Sequence, residues 1–147
     1  MSKRAVPFTT TIAVRDSCLC LHVQRAARAL ARRYDDALRP LGLTSGQFSL
    51  LMSLNRPEPP TMSSVANLLA MDRTTLTAAL KPLERRGLVQ VTVGEKDRRS
   101  RLMTLTPAGL DLLADAMPAW HATQAETGLL LGETDPATLI EALRALS

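Results

Sequence analysis

Residues 73–81 run Arg-Thr-Thr-Leu-Thr-Ala-Ala-Leu-Lys. Turning Leu76, Ala79, Leu80 and Leu83 inward as one helical stripe leaves Arg73, Thr74, Thr75, Thr77 and Lys81 on the outer and N-terminal face. An arginine fork, short hydroxyls and threonine methyls are groups that meet base edges and phosphates. The small residues also let a helix backbone approach a groove about 12 Å wide. Threonines at a helix start bond their own backbone as well, so for Thr74 that local reading stays open. Ser63 and Ser64, at the head of the preceding short helix, join the DNA-facing set. Further on, Lys96, Asp97, Arg98, Arg99 and Arg101 crowd the polar stretch 94–100 and its edge. An arginine-tipped turn suits the narrow, electronegative minor groove of duplex DNA. Asp97 is expected to steady Arg99 by a charge-assisted bond. A solvated hairpin with an incidental ion pair is the alternative.

A third group is Cys18, Cys20 and His22, a Cys-x-Cys-x-His run. Three readings compete: thiols made reactive by a helix N-terminus, a soft-metal site, and small apolar residues packed in a helix that pairs with a second chain. The metal reading has Cys18 and His22 four apart on one face but no evident fourth ligand, so no metal is expected. Side chains two apart on a helix point away from each other, which argues against a disulfide between the two cysteines. For an organic ligand, Trp120 and His121 with His22 and Arg25 form a candidate crevice, against the plainer reading of Trp120 as a core residue.

The elements that must carry these groups follow from periodicity and caps. A long amphipathic helix spans 17–41 with Leu19, Val23, Ala26, Ala27, Leu30, Tyr34, Ala37, Leu38 and Leu41 as its apolar side. Asp16 or Ser17 is its cap, and Pro40 with Gly42 stops it. A second helix starts at Thr44 with Gln47 in capping-box spacing, turns Phe48, Leu51, Met52 and Leu54 inward, and ends at Asn55. After the proline-rich loop 56–60, Ser63 is expected to cap a short helix with Val65, Ala66, Leu68 and Leu69 inward. Asp72 caps the next, which Pro82 disturbs and Gly87 closes in the left-handed region behind Arg85 and Arg86. Residues 88–93 and 101–105 alternate as two strands. Thr106-Pro107 opens a long helix with Leu110, Leu113, Ala114, Met117 and Trp120 on one side and a bend at Pro118. Asp135-Pro136 opens the last, which carries Leu139, Leu143 and Leu146. The end helices offer more apolar surface than a small reader covers, so two chains are expected to pair through them.

Composition agrees with this order. The 147 residues make one domain, poor in aromatics, with net charge +4. Residues 73–101 hold eight basic and three acidic side chains, whereas 102–147 hold one and six. Positive potential is therefore concentrated where a polyanion would sit. No apolar run approaches the roughly 18 residues of a membrane span, and the N-terminus lacks the apolar centre of a signal peptide. A cytoplasmic protein without membrane contact is expected. With no glycine-rich phosphate loop, no His-Glu-x-x-His and no nucleophile elbow, neither an enzyme nor a cofactor is expected. A module used for protein contacts is the rival, and the basic face speaks against it.

Three passages, LRPLGLTSGQFSLL (38–51), MDRTTLTAALKPLERRGLV (71–89) and DRRSRLMTLTPAG (97–109), together resemble the MarR family of winged helix-turn-helix regulators over nearly the whole chain. The resemblance implies a mainly α fold with a small β-hairpin. Residues 17–41 and 106–147 would be the dimerisation helices of a single domain, 1–147, and 44–105 its winged helix-turn-helix. It further implies a symmetric homodimer that sets helix 73–86 in a major groove and wing 94–100 in the flanking minor groove of a palindromic operator. Asp97 and Arg99 match the family's Asp-x-Arg wing pair. Family members usually repress, and they release DNA when a small aromatic or lipophilic acid binds between the dimer helices and the reader. Some sense oxidants through an N-terminal cysteine.

Overall fold

A computed structural model describes residues 4–147; the first three residues of the N-terminal stretch considered above lie outside the described residues. The elements are α1 (Phe8–Ser17), α2 (Leu19–Leu38), a 3-10 turn (Arg39–Leu41), α3 (Ser45–Leu54), α4 (Met62–Leu68), α5 (Arg73–Arg85), β1 (Val89–Val93), β2 (Arg101–Leu105), α6 (Pro107–Leu130) and α7 (Pro136–Ala145). The two strands are antiparallel, Val89 opposite Leu105 and Val93 opposite Arg101. An isolated bridge from Thr61 to Leu102 and a bond from the Met103 N–H to the Pro60 carbonyl (3.2 Å) fasten the start of α4 to the hairpin.

Most helix starts obey the sequence. Thr44 and Gln47 form the reciprocal capping box of α3, and Asp72, Thr106 and Asp135 each accept the N–H three residues on. Two starts differ. Helix α1 was not expected: its threonines mask any amphipathic period and none of its residues is buried. It consumes Asp16, paired with Arg15, and Ser17, bonded back to the Ala13 carbonyl. The long helix therefore starts at Leu19 rather than 17, capped by Cys18, whose Sγ accepts the Leu21 N–H at 3.5 Å. Helix α4 is capped by Thr61, not Ser63, which sits inside the first turn.

The core joins Leu38 of α2, Leu50 and Leu51 of α3, Val65 of α4, Leu76, Leu80 and Leu83 of α5 and Met103 of β2. Burial of these apolar side chains locks the reader onto the end of α2 and the flank of α6. Three inward assignments need correction. Leu50, not Met52, is buried in α3; Met62 is buried in α4 while Leu68 is 61% exposed; and Ala116 is buried in α6 where Leu110 and Ala114 face out. Each follows from the direction in which a neighbouring helix lies, which periodicity alone leaves free by about one position.

Helix α5 runs through Pro82 to Arg85, and α6 runs through Pro118 to Leu130. Gly87 closes α5 at φ 70°, with bonds from Gly87 N–H to Glu84 and from Leu88 N–H to Leu83. The turn between α4 and α5 repeats this closure with Ala70 at φ 52°, bonding Ala70 N–H to Asn67 and Met71 N–H to Ala66. A Cβ in that region is unfavourable, and glycine removes it at some cost in chain entropy. Ala70→Gly should therefore raise stability by about 0.5–1 kcal/mol in denaturant titration; a loss would mean that the turn does not hold the left-handed geometry in solution.

Candidate nucleic-acid interface

Each side chain of the basic face is set by its backbone. Asp72 fixes the first turn of α5, one carboxylate oxygen accepting the Thr75 N–H at 2.7 Å and the other the Thr75 hydroxyl at 2.9 Å. These two bonds, the backbone one first, hold the Asp72 carboxyl below the ordinary carboxylate value. Thr77 donates its hydroxyl to the Arg73 carbonyl at 2.8 Å. The hydroxyl of Thr74 makes no hydrogen bond among the described residues. Local helix-start chemistry thus occupies the hydroxyls of Thr75 and Thr77, whereas Thr74, for which that reading stood open, keeps its hydroxyl free among the described residues. Arg73 and Lys81 are exposed beside them, as is Ser63, while half-buried Ser64 donates its hydroxyl to the Thr61 carbonyl.

The wing is held by its own backbone. Gly94 N–H bonds Ser100 O (3.1 Å), and the Ser100 N–H and hydroxyl both reach Asp97 O (3.0 and 2.7 Å). A Cβ on Gly94 would collide with the Ser100 hydroxyl and lie 2.9 Å from the Asp97 carbonyl oxygen, so this turn requires glycine. The Asp97 carboxylate accepts the Arg99 backbone N–H at 3.0 Å rather than its guanidinium. The expected side-chain ion pair is therefore replaced by an Asx-type turn, and among the described residues the ion pairs are Arg15–Asp16 and Arg39–Asp36. Arg101 folds back onto the Arg98 and Ser100 carbonyls, whereas Lys96, Arg98 and Arg99 extend into solvent.

The tertiary structure brings these pieces together. Ser63, Arg73, Asp97, Arg99 and Arg101 line one shallow hollow of about 200 Å³ with Thr61, Met62 and Ser100. The starts of α4 and α5, where backbone N–H groups favour anions, and the root of the wing thus share one surface. Thr61 and Ser100 were missed from sequence. The signal for Thr61 was present, since it precedes Ser64 by three just as Asp72 precedes Thr75. Exposed Arg86 donates to the Gly42 carbonyl at 2.7 Å and ties the end of α5 to the turn that follows α2. Asp35 of α2 likewise accepts the Ser45 N–H at 2.6 Å, which with the Ser45 hydroxyl lowers its pKa and fastens α3.

The remaining candidates do not form one site. Cys18 is half-buried in extended backbone (ψ 109°) between α1 and α2, and Cys20 is exposed. The ring Nε2 of His22 lies 2.9 Å from the Arg15 carbonyl, and no group of three His, Cys, Asp or Glu among the described residues is placed to hold a metal. Trp120 is half-buried, stacked with Phe48 at 6.4 Å, with His121 edge-on at 5.1 Å. A hollow of about 350 Å³ is lined by Phe48, Ser49, Met52, Ser53, Leu68, Met117 and Trp120. Another of about 340 Å³, on the side of α2, shares Phe48, Ser49 and Trp120 and adds Ala27, Leu30, Ala31, Tyr34 and Ser45. Neither includes His22, Arg25 or His121, so the expected crevice keeps only its tryptophan. His22 is drawn toward α1 by the break at Cys18, and Arg25 projects into solvent.

No helix among the described residues is long and apolar enough to cross a membrane. Comparison with known proteins matches residues 43–100, from before α3 through the wing, to the model of the MarR family. The organic hydroperoxide resistance transcriptional regulator of Bacillus subtilis (strain 168) is 33% identical over 91 residues, 62% of this chain and 62% of that protein. The matched stretch spans between 54% and 64% of the length of the first curated relatives. Among solved structures, the Mycobacterium tuberculosis transcriptional regulator MosR in complex with DNA is 40% identical, with 88% of this chain and 98% of that one covered and a TM-score of 0.76. The transcriptional repressor CouR bound to a 23-mer DNA duplex is 26% identical, covering 97% and 99%, with a TM-score of 0.81. CouR from Rhodococcus jostii RHA1 is also known bound to p-coumaroyl-CoA, at 26% identity, 89% and 90% coverage and a TM-score of 0.69. With 40% identity extending over nearly all of the MosR chain, and α4, α5 and the β1–β2 wing in the order that its passages implied, the chain belongs to the MarR family.

Proposed function

We propose that this chain is a transcriptional regulator that binds duplex DNA as a symmetric homodimer and represses from a palindromic operator. The observation that carries the reading is the convergence of Ser63, Arg73, Arg99 and Arg101 on one hollow at the starts of α4 and α5. Thr74, Thr75, Thr77 and Lys81 extend that surface along the recognition helix, and Lys96, Asp97 and Arg98 extend it along the wing. Such a surface reaches a major groove and its flanking minor groove together. Pairing is supported by the end helices. Only Leu38 of α2 is buried and nothing in α7 is, while Leu19 is 69% exposed and Leu129 82%. That much apolar surface calls for a cover, and a second copy supplies it symmetrically. Release by a small aromatic or lipophilic ligand is supported by the hollows around Trp120, wedged between α2, α3 and α6. A winged helix used for protein contacts is disfavoured, since residues 73–101 carry eight basic side chains against three acidic ones.

The test is sedimentation of the purified chain together with selection from a random-sequence duplex pool at low salt. A stable dimer that enriches palindromic sites is expected; a lasting monomer, or no retained duplex, overturns the proposal.

Cys18 and Cys20 support a second mode of release. The helix break at Cys18 removes the geometry on which the expectation against a disulfide rested. The Cys20 thiolate would attack an organic hydroperoxide, giving a sulfenic acid and an alcohol; Cys18 would then displace water to form the disulfide. Repeating the duplex assay after one equivalent of hydroperoxide should show both thiols consumed and DNA released. Two surviving thiols would remove this mode.

A further inference from the structure

We infer that the hollow beneath the reader selects a neutral aromatic molecule carrying one hydrogen-bonding group, read by Ser49, and discriminates against organic anions. The inference rests on the ligand-release reading above and narrows its chemistry, since the family resemblance implied an acid.

The walls decide the charge. Phe48, Met52, Leu68, Met117 and Trp120 line the first hollow, and among the described residues its hydroxyl-bearing side chains are Ser49 and Ser53. Among the described residues of this chain, no lysine, arginine or histidine lines this hollow or its neighbour. A carboxylate moved from water to such a wall loses hydration and finds no cation to replace it, whereas a phenol or alcohol loses far less. About 350 Å³ is room for one substituted ring and matches the lower end of ordinary ligand pockets.

The polar groups decide the second feature. Ser53 already donates to the Leu50 carbonyl at 2.6 Å, and Ser45 is engaged with Asp35. The Ser49 hydroxyl makes no hydrogen bond among the described residues and lies on the wall shared by both hollows. It is the one uncommitted serine hydroxyl that can orient a ring held between Phe48 and Trp120. A ligand that meets it keeps a hydrogen bond on leaving water; a ligand without such a group leaves Ser49 partly desolvated and unpaired.

The experiment compares 4-methylphenol with 4-methylbenzoate on the full chain near neutral pH, where the first keeps its proton and the second is an anion. Trp120 is the only tryptophan, so its single indole N–H resonance reports occupancy even for weak ligands. The phenol should bind at least about tenfold more tightly than the benzoate, and Ser49→Ala should weaken the phenol about fivefold while leaving the benzoate unchanged. Equal or tighter binding of the benzoate would overturn the neutral class but leave the hollow as a ligand site. A phenol affinity unaffected by Ser49→Ala would overturn the role of that hydroxyl. If neither compound moves the Trp120 resonance while the circular dichroism is native, the ligand-release reading fails and this inference with it.

Discussion

Gly109→Ala should destabilise the chain by about 3 kcal/mol, at the upper end of the range for overpacking a buried site. Gly109 lies in the first turn of α6, buried where that helix crosses the exit of α5. A Cβ there would overlap the Leu88 carbonyl oxygen and lie 3.1 Å from its carbon, and both are backbone atoms that no rotamer change can move. The junction cannot open freely either. Leu88 O accepts the Thr106 N–H at 3.1 Å, and the Thr106 hydroxyl donates to the Gly87 carbonyl at 2.6 Å. The added methyl must therefore push the long helix off the reader or break its cap. Gly46→Ala is the control: it lies in the first turn of α3, its Cβ would meet nothing nearer than 3.9 Å, and it should gain about 0.5–1 kcal/mol. Urea titrations of the two variants check the pair. An unchanged midpoint for Gly109→Ala would mean that α6 and the reader are not packed as described.

Arg99→Ala should cost roughly 1–3 kcal/mol of specific duplex affinity, with little change in thermal stability. Its guanidinium is exposed and has no ion pair among the described residues, so nothing inside the protein is lost with it. The backbone N–H that Asp97 holds remains in the alanine variant, which keeps the wing in place. Wild-type binding should also weaken steeply between about 50 and 200 mM salt, as for any protein that neutralises several phosphates. Thr74→Ala and Thr75→Ala separate recognition from capping on the helix. The first removes a free hydroxyl and should lower affinity alone. The second removes a hydroxyl bonded to Asp72 and should lower helix stability as well. Anisotropy titrations of a selected duplex provide the measurement; a duplex affinity indifferent to both salt and Arg99 would end the wing hypothesis.

Much of this architecture was legible because its signals are local. Thr44 with Gln47, Asp72, Thr106-Pro107 and Asp135-Pro136 each mark a helix start through bonds made within four residues. The alternation of 88–93 and 101–105 around a polar tip specifies a hairpin in the same way, and the strand bounds came out within a residue. The order of these pieces was enough for the family.

What stayed hidden depends on residues far apart in the chain. Helix α1 buries nothing, so no pattern announced it. With that helix present, Asp16 and Ser17 acquired partners of their own and the cap passed to Cys18. Met52 and Leu68 looked like core by spacing. Only the approach of α6, with Met117 and Trp120, turned them into the wall of a hollow and left His22 and Arg25 outside it.

By itself the sequence determined every element but α1, their order and the concentration of positive charge, since caps, periods and composition are properties of neighbouring residues. The tertiary structure alone decided which hydroxyl on α5 is free, which glycine cannot be replaced, and that Ser63, Arg73 and Arg99 meet on one surface. The physical reason is that burial and juxtaposition are set by the packing of whole helices, where a rotation of one residue changes what every side chain faces.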